Sequence, residues 1–227
     1  MSFDLVPDPD VPCASGCAPR QDHVARQKRS AASLERMLDA TDRLMTDHQS
    51  EAFTLLEVCR IGGVSVGSIY LRFPTKVDLI RAAMQRRLIV VEQEEAAMMA
   101  QLCRDSVDLA GFLSAFIEAY SQVLQRHARI LRLCMDRAEH DPVISAIGKA
   151  QAERAAQRVV QALLAYRDRF GGNRAEEKAG TIYRAIYAVL CRQLGLGSAR
   201  EDHQPQQWMV YKKDLALMAL SFLSCAQ

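Results

Sequence analysis

The sequence predicts an all-α chain, and three observations carry that reading. Glycine (11) and proline (7) are scarce for 227 residues, and beyond Pro19 only Pro74, Pro142 and Pro205 interrupt the chain. The remainder is rich in Ala, Leu, Glu, Gln and Arg, all good helix formers. Apolar residues recur at spacings of three and four, the period of a helix face. Sandwiches and barrels need far more turn residues and are excluded. With 49% hydrophobic and 25% charged residues the composition is that of a globular protein, long enough to fold without a disulfide or metal staple.

Residues 1–29 read as a disordered arm: four of the seven prolines lie in its first nineteen residues and no period appears. Its second half is basic, with Arg26, Lys28 and Arg29. Helical periodicity begins near Ser33, where Leu34, Met37, Leu38, Thr41, Leu44 and Met45 share one face. It dissolves at Asp47-His48-Gln49-Ser50. A short second helix runs from Thr54 to about Ile61, with Thr54 and Glu57 in capping-box spacing. Gly62 and Gly63 end it. Ser65 can cap a third helix, Val66 to Phe73, and Pro74 stops it. A long fourth helix covers about 76–102, and five more follow at about 107–126, 128–138, 142–169, 175–195 and 206–225. The domain division is therefore an arm (1–29), a three-helix unit (30–80) and a six-helix bundle (81–227).

The stretch from Thr54 to Lys76 is a short helix, a glycine turn, a second short helix and a stop. That is helix-turn-helix geometry, in which the second helix enters the DNA major groove. The front of this helix is small (Ser65, Val66, Gly67, Ser68), so its backbone can approach base edges and phosphates. Ile69 and Phe73, four apart, should plug it into its own core and leave Tyr70, Leu71 and Arg72 outward.

These residues resemble the tetracycline-repressor (TetR) family of bacterial transcription regulators. Gly63-Val64-Ser65-x-Gly67-Ser68-Ile69-Tyr70-x-x-Phe73-x-Thr75-Lys76-x-x-Leu79 fits that family's Gly-Val-Ser-x-Gly-Thr-Leu-Tyr-x-His-Phe-x-Ser-Lys-x-x-Leu pattern without a gap. The match extends upstream to Leu34. The resemblance implies phosphate contacts from Thr54, Ser68, Tyr70 and Lys76, and base-edge or thymine-methyl contacts from Ser65, Val66, Gly67 and Leu71. Arg72 stands where the family has histidine and offers a phosphate or guanine contact. Gln49 replaces a common glycine, leaving the turn's conformation open, and Phe53 replaces a small polar residue, removing one phosphate contact. Arg26, Lys28 and Arg29 are candidates for a minor-groove arm. The charge count is lukewarm: between Ala31 and Lys76 the acids slightly outnumber the bases.

The later helices carry no motif. Phe112, Phe116 and Tyr120 form a four-residue stripe that reads first as a core face. The resemblance makes the same region an effector pocket, with Met135, Tyr166, Tyr183 and Tyr187 as further candidates. Arg129, Arg132, Arg137, Asp136 and Asp141 read mostly as a solvated face, the alternative being that one arginine pairs an anionic ligand. Ile182, Ile186, Leu190 and Leu194 repeat on one late helix, and Trp208, Tyr211, Leu215, Met218 and Phe222 on the last. They either close the core or, as the resemblance implies, pair with their copies in a homodimer.

Other classes find little support. No phosphate loop, dinucleotide fingerprint, zinc-protease helix or nucleophile elbow is present, so neither an enzyme nor a cofactor is expected. Cys13, Cys17 and His23 read as a tail with two thiols, since a fourth zinc ligand is missing. Cys59, Cys103, Cys134, Cys191 and Cys225 read as reduced core thiols. The longest uncharged stretch, Leu215 to Gln227, is too short to span a bilayer, and the acidic, proline-rich start is unlike a signal peptide. A cytoplasmic regulator of operator DNA, released by a small effector, is the expectation. The competing reading is a TetR-like helical protein that has lost operator binding and serves as a ligand-binding or adaptor protein.

Overall fold

The computed structural model describes residues 19–197 and 204–225. Among them are eight α-helices and no strand: α1 (Pro19–His48), α2 (Leu55–Gly62), α3 (Val66–Tyr70), α4 (Lys76–Asp105), α5 (Leu109–Ala138), α6 (Pro142–Leu164), α7 (Ala175–Gln193) and α8 (Pro205–Ser224). Cys13, Cys17 and the side chain of His23 lie outside the described residues.

Three boundaries differ from the sequence reading. Residues 19–29, expected as part of a disordered arm, are the first turns of α1. Pro19 sits where a helix needs no N–H, and the Ala, Gln, Arg and Lys that follow favour helix without a glycine to stop it. Arg26, Lys28 and Arg29 therefore stand on a helix. The two helices expected at 107–126 and 128–138 are one, because nothing between Gln125 and Arg129 breaks it and His127, Ala128 and Ile130 continue its buried face. Among the described residues the bundle has five α-helices rather than six. The helix expected to reach 169 ends at Leu164, and a 3-10 turn, Arg167–Arg169, leads to Gly171.

α1, α2 and α3 close around Met37, Met45, Val58 and Ile69, together with Leu79 and Ala83 from α4. α4 belongs to both units. At one end it packs on α1, and farther along on α5 and α6. Its arginines hold the acids of α1: Arg86 bonds Glu35 (2.8 Å) and Asp39 (2.7 Å), and Arg87 approaches Asp42 at 3.9 Å. α8 lies against α5 and α7. The buried Lys178 ammonium on α7 closes that seam by donating to the carbonyls of Gly171 (2.8 Å), Leu223 (3.5 Å) and Cys225. A cation at the end of α8 suits the partial negative charge that accumulates there.

Cys134 and Cys191 are buried as expected, and Cys59 is half-buried. Cys103 and Cys225 are exposed, in the last turn of α4 and just past α8, because each lies at a helix end rather than on an inward face.

Candidate functional site

The helix-turn-helix is built from local bonds. Thr54 caps α2 in a reciprocal box: its N–H donates to Glu57 Oε2 (2.7 Å), and its Oγ1 accepts from the Glu57 N–H (3.2 Å). The backbone bond and the threonine hydroxyl together hold the Glu57 carboxyl below its ordinary pKa. Gly63 ends α2 at φ 59°, a left-handed conformation that glycine adopts without strain. A Cβ on Gly62 would stand 2.9 Å from the Arg36 carbonyl, so α1 and α2 cross as closely as glycine permits. Arg36 Nε donates back to the Gly62 carbonyl at 3.0 Å.

Ser65 caps α3, accepting from Ser68 N–H (3.1 Å), and its hydroxyl meets that of Ser68 at 2.8 Å. The regular helix ends at Tyr70, but bonds from Leu71 N to Gly67 O and Phe73 N to Ile69 O carry the turn on to Phe73. Ile69 is 1% exposed, and Phe73 packs against the same core. Tyr70 and Leu71 are 53% and 89% exposed. A large apolar side chain so bare on a helix front has no folding role. Gly67 faces open space, its nearest neighbour being Ser65 Oγ at 4.0 Å from a built Cβ.

The cations behave differently from the sequence expectation. Arg72 does not project freely: its guanidinium donates to the Ser30 carbonyl (2.7 Å) and to the Ser30 hydroxyl. This contact brings the exposed Lys28 and Arg29 of α1 to the edge of the recognition helix. The Lys76 ammonium donates to the Glu51 carbonyl (2.6 Å) and lies 4.3 Å above the Phe53 ring. An ammonium has three donors, so two are left for a phosphate. Phe53 is buried and serves as the platform for this lysine. Gln49 adopts φ 50°, so the turn keeps a glycine-like conformation, and its side chain bonds the Thr46 carbonyl at 2.6 Å.

Pairing also accounts for the unpromising charge count. Glu35, Asp39 and Asp42 are met by α4 arginines, Asp47 by Arg43 and Glu51 by Arg137. Arg86 and Arg87 are spent on these acids.

Between α4, α5, α6 and α7 lies a cavity of about 320 Å³. Of the pocket candidates, Tyr120, Met135, Tyr183 and Tyr187 line it. Phe112, Phe116 and Tyr166 do not. The two phenylalanines are fully buried and stacked at 6.1 Å, and Tyr166 bonds the Ser106 carbonyl at 3.2 Å. The lining also includes Glu95, Lys149 and Gln151, which no motif or periodicity singles out. Burial pushes the Glu95 carboxyl up to about 7, against the pull of the Arg158 charge. Burial likewise raises the Tyr120, Tyr183 and Tyr187 phenols.

A chain of ion pairs joins the two units. Asp141 caps α6 by accepting from Val143 N (3.1 Å), and its Oδ2 accepts from Arg81 of α4 (2.7 Å) and Arg137 of α5 (2.9 Å). The Arg81 guanidinium holds its carboxyl well below the usual carboxylate range. Arg137 also reaches Glu51 at 2.5 Å, in the turn before α2, whose carbonyl receives Lys76. Arg137 and Asp141 are therefore a buried joint rather than a solvated face, because three helix ends converge on one carboxylate. Met135 and Ala138 of α5, and Ile144 and Ser145 of α6, flank this joint and line the cavity.

The dimer candidates divide. Ile182, Ile186, Leu190 and Leu215 are buried within the protomer, since the apolar stripe of each late helix turns inward. Trp208 and Phe222 are half-buried, and Met218 is 64% exposed. The outward apolar residues of α8 are Met209, Val210, Tyr211, Leu217 and Met218. No helix among the described residues is long and apolar enough to cross a membrane.

Residues 37–83, the span from α1 to the second turn of α4, match the sequence profile of the bacterial regulatory proteins of the tetR family. Over those residues the chain carries a TetR-type DNA-binding segment. Its TetR-type fold extends through the bundle. A protein described as a TetR-family transcriptional regulator from Mesorhizobium loti superposes with a TM-score of 0.68 at 16% identity, over 86% of this chain and 97% of that one. A transcriptional regulator from Cytophaga hutchinsonii gives 0.62 at 18% identity, over 85% and 98%. GusR of Salmonella enterica gives 0.58 at 16% identity, over 85% and 96%. No curated protein matches the chain by sequence.

Proposed function

We propose that this protein is a TetR-family repressor that binds a near-palindromic operator as a homodimer and is released by a small molecule held in the cavity. One observation carries the DNA-binding part. The TetR-type recognition turn presents Gly67, Tyr70 and the bare Leu71 outward, with Val66 half-buried at its front, while Ile69 anchors it from behind. In this reading Ser65, Val66, Gly67 and Leu71 meet base edges. Thr54, Ser68, Tyr70 and one spare donor of Lys76 meet phosphates, with Arg72 holding the basic end of α1 alongside. Lys28 and Arg29 then act from a helix as flanking phosphate contacts rather than as a threaded arm. The exposed apolar face of α8 pairs with its copy, setting two recognition helices about one turn of DNA apart.

Retarded migration of the DNA upstream of the protein's own gene tests this. Leu71→Ala should alter which bases are preferred, while Lys76→Ala should weaken all sequences alike and lower the salt slope by about one phosphate. Failure to shift any duplex, with the protein folded, would favour the ligand-binding alternative. A monomer in sedimentation at micromolar concentration would remove the dimer.

A further inference from the structure

We propose that the cavity binds an amphipathic organic cation, an amine with an apolar body, through the Glu95 carboxylate and the rings of Tyr120, Tyr183 and Tyr187. This rests on the reading of the cavity as the effector site, and names its ligand class.

The argument begins with an ill-matched charge. The Glu95 side chain is 8% exposed and lines the cavity. The cation that meets it, Arg158, comes no nearer than 3.5 Å, the outer limit of a hydrogen bond. Arg158 also turns to Glu92 at 3.3 Å, although Glu92 is already held by both arms of Arg154 at 2.6 and 2.8 Å. The two arginines thus crowd towards Glu92 and leave Glu95 at the end of the row. The Arg158 Nε, itself buried, has no partner. A buried carboxylate met by one distant guanidinium and the Tyr120 hydroxyl is under-compensated, and a charged donor entering from the cavity would offset that cost.

The walls suit a cation with a greasy body. Tyr183 and Tyr187 stack at 6.1 Å, and Tyr120 and Tyr187 at 6.4 Å, forming an aromatic lining beside the carboxylate. Aromatic faces attract cations, most strongly where water is excluded. Leu88, Val91 and Leu124 supply the apolar remainder. Lys149 stands at the rim, exposed, where water and salt screen it. An anion held by Lys149 would have to lay its apolar end against Glu95, which inverts the fit. The groups facing Glu95 are Glu92 on its own helix, Arg158 on α6, Tyr120 on α5, and Tyr183 and Tyr187 on α7. With those phenols raised, Glu95 is the group that titrates near neutrality. A bound cation keeps it ionised, so binding should release a proton and tighten as pH rises through about 7.

Three probes of equal tail length separate the possibilities: decylammonium, decanol and decanoate, each titrated calorimetrically below micelle formation into the full-length protein. The ammonium should bind about tenfold tighter than decanol at about pH 8, less so at about pH 6, with decanoate weakest. Glu95→Gln should erase the ammonium's advantage and leave decanol binding intact, which also shows that the variant keeps its cavity. Gly148→Trp, which points an indole into the lining, should abolish binding of all three. Decanol or decanoate binding as tightly as the ammonium, or an advantage that survives Glu95→Gln, overturns the cation while sparing the cavity. If none of the three binds, the effector reading falls as well.

Discussion

The DNA-binding end and the cavity end of this molecule are organised by opposite means. From Thr54 to Asp78 the caps and turns are closed by bonds within five residues: two capping boxes, the Ser65 cap and the Gly63 turn. The cavity has no such code. Its lining comes from four helices, and Tyr120 and Tyr183 meet hydroxyl to hydroxyl at 3.5 Å across 63 positions of sequence. Local bonds fix a rigid presenting surface. Long-range packing leaves a space whose chemistry can change without disturbing the surface. The joint at Asp141 is where the two kinds of construction touch.

The sharpest way to break that picture is at the joint. Asp141→Asn keeps a cap for α6 but removes the charge that Arg81 and Arg137 share, leaving them only Asp78 and Glu51, and should lower Tm by about 8–10 °C. DNA affinity should fall with it. Unchanged operator binding in a folded variant would mean that the two ends do not communicate through this carboxylate. Within the DNA-binding end, Gly62→Ala forces a Cβ into the Arg36 carbonyl and should cost about 4–8 °C in Tm. Gly148→Ala, on the cavity lining with open space around it, should be neutral or slightly stabilising. Equal losses from both would erase the contrast.

At the cavity end, Glu95 should give stability an unusual pH slope. Its folded pKa of about 7 lies above the ordinary 4.5, so the folded state binds more protons between those values. Its contribution is therefore lost as pH rises through that window. Glu95→Gln should raise Tm by about 2–4 °C at about pH 8 and by nothing measurable at about pH 4, as thermal melts in the two buffers would show. The smallest effect is expected at Gln49, whose positive φ costs about as much as a glycine would lose in chain entropy. Gln49→Gly should move Tm by no more than about 1–2 °C.

What could be read from the sequence follows the same division. Thr54 and Glu57, Ser65, and Gly63 each announced a structure completed by near neighbours, and each is found in it. The stripe Phe112, Phe116, Tyr120 was visible too, yet only its last member reaches the cavity. Each four-residue step advances about 40° around a helix, so the stripe slides from the core towards the space beside Tyr183. Which neighbour fills that direction is decided by α6 and α7, far away in sequence. The inward turn of Ile182, Ile186, Leu190 and Leu215 has the same origin: periodicity reveals an apolar face but not whether it meets the protomer or its copy. Glu95 was hidden among the acids of α4, where Glu92 and Glu94 look the same until the helix is packed.

The seam between α1 and α4 has a mechanical consequence. Arg86 grips two acids of α1, Arg87 faces a third, and the apolar core beneath joins the same two helices. The DNA-binding head therefore travels with the start of α4 as one piece. At 30 residues α4 is about 45 Å long, and a swing of about 5° about its midpoint displaces its end by about 2 Å. In a two-fold pair the displacements add to about 4 Å. That exceeds what a hydrogen bond to phosphate can stretch before it is lost. A ligand that tilts this one helix by the angle of a minute hand moving through less than a single minute would leave the two heads out of step with the pitch of the DNA.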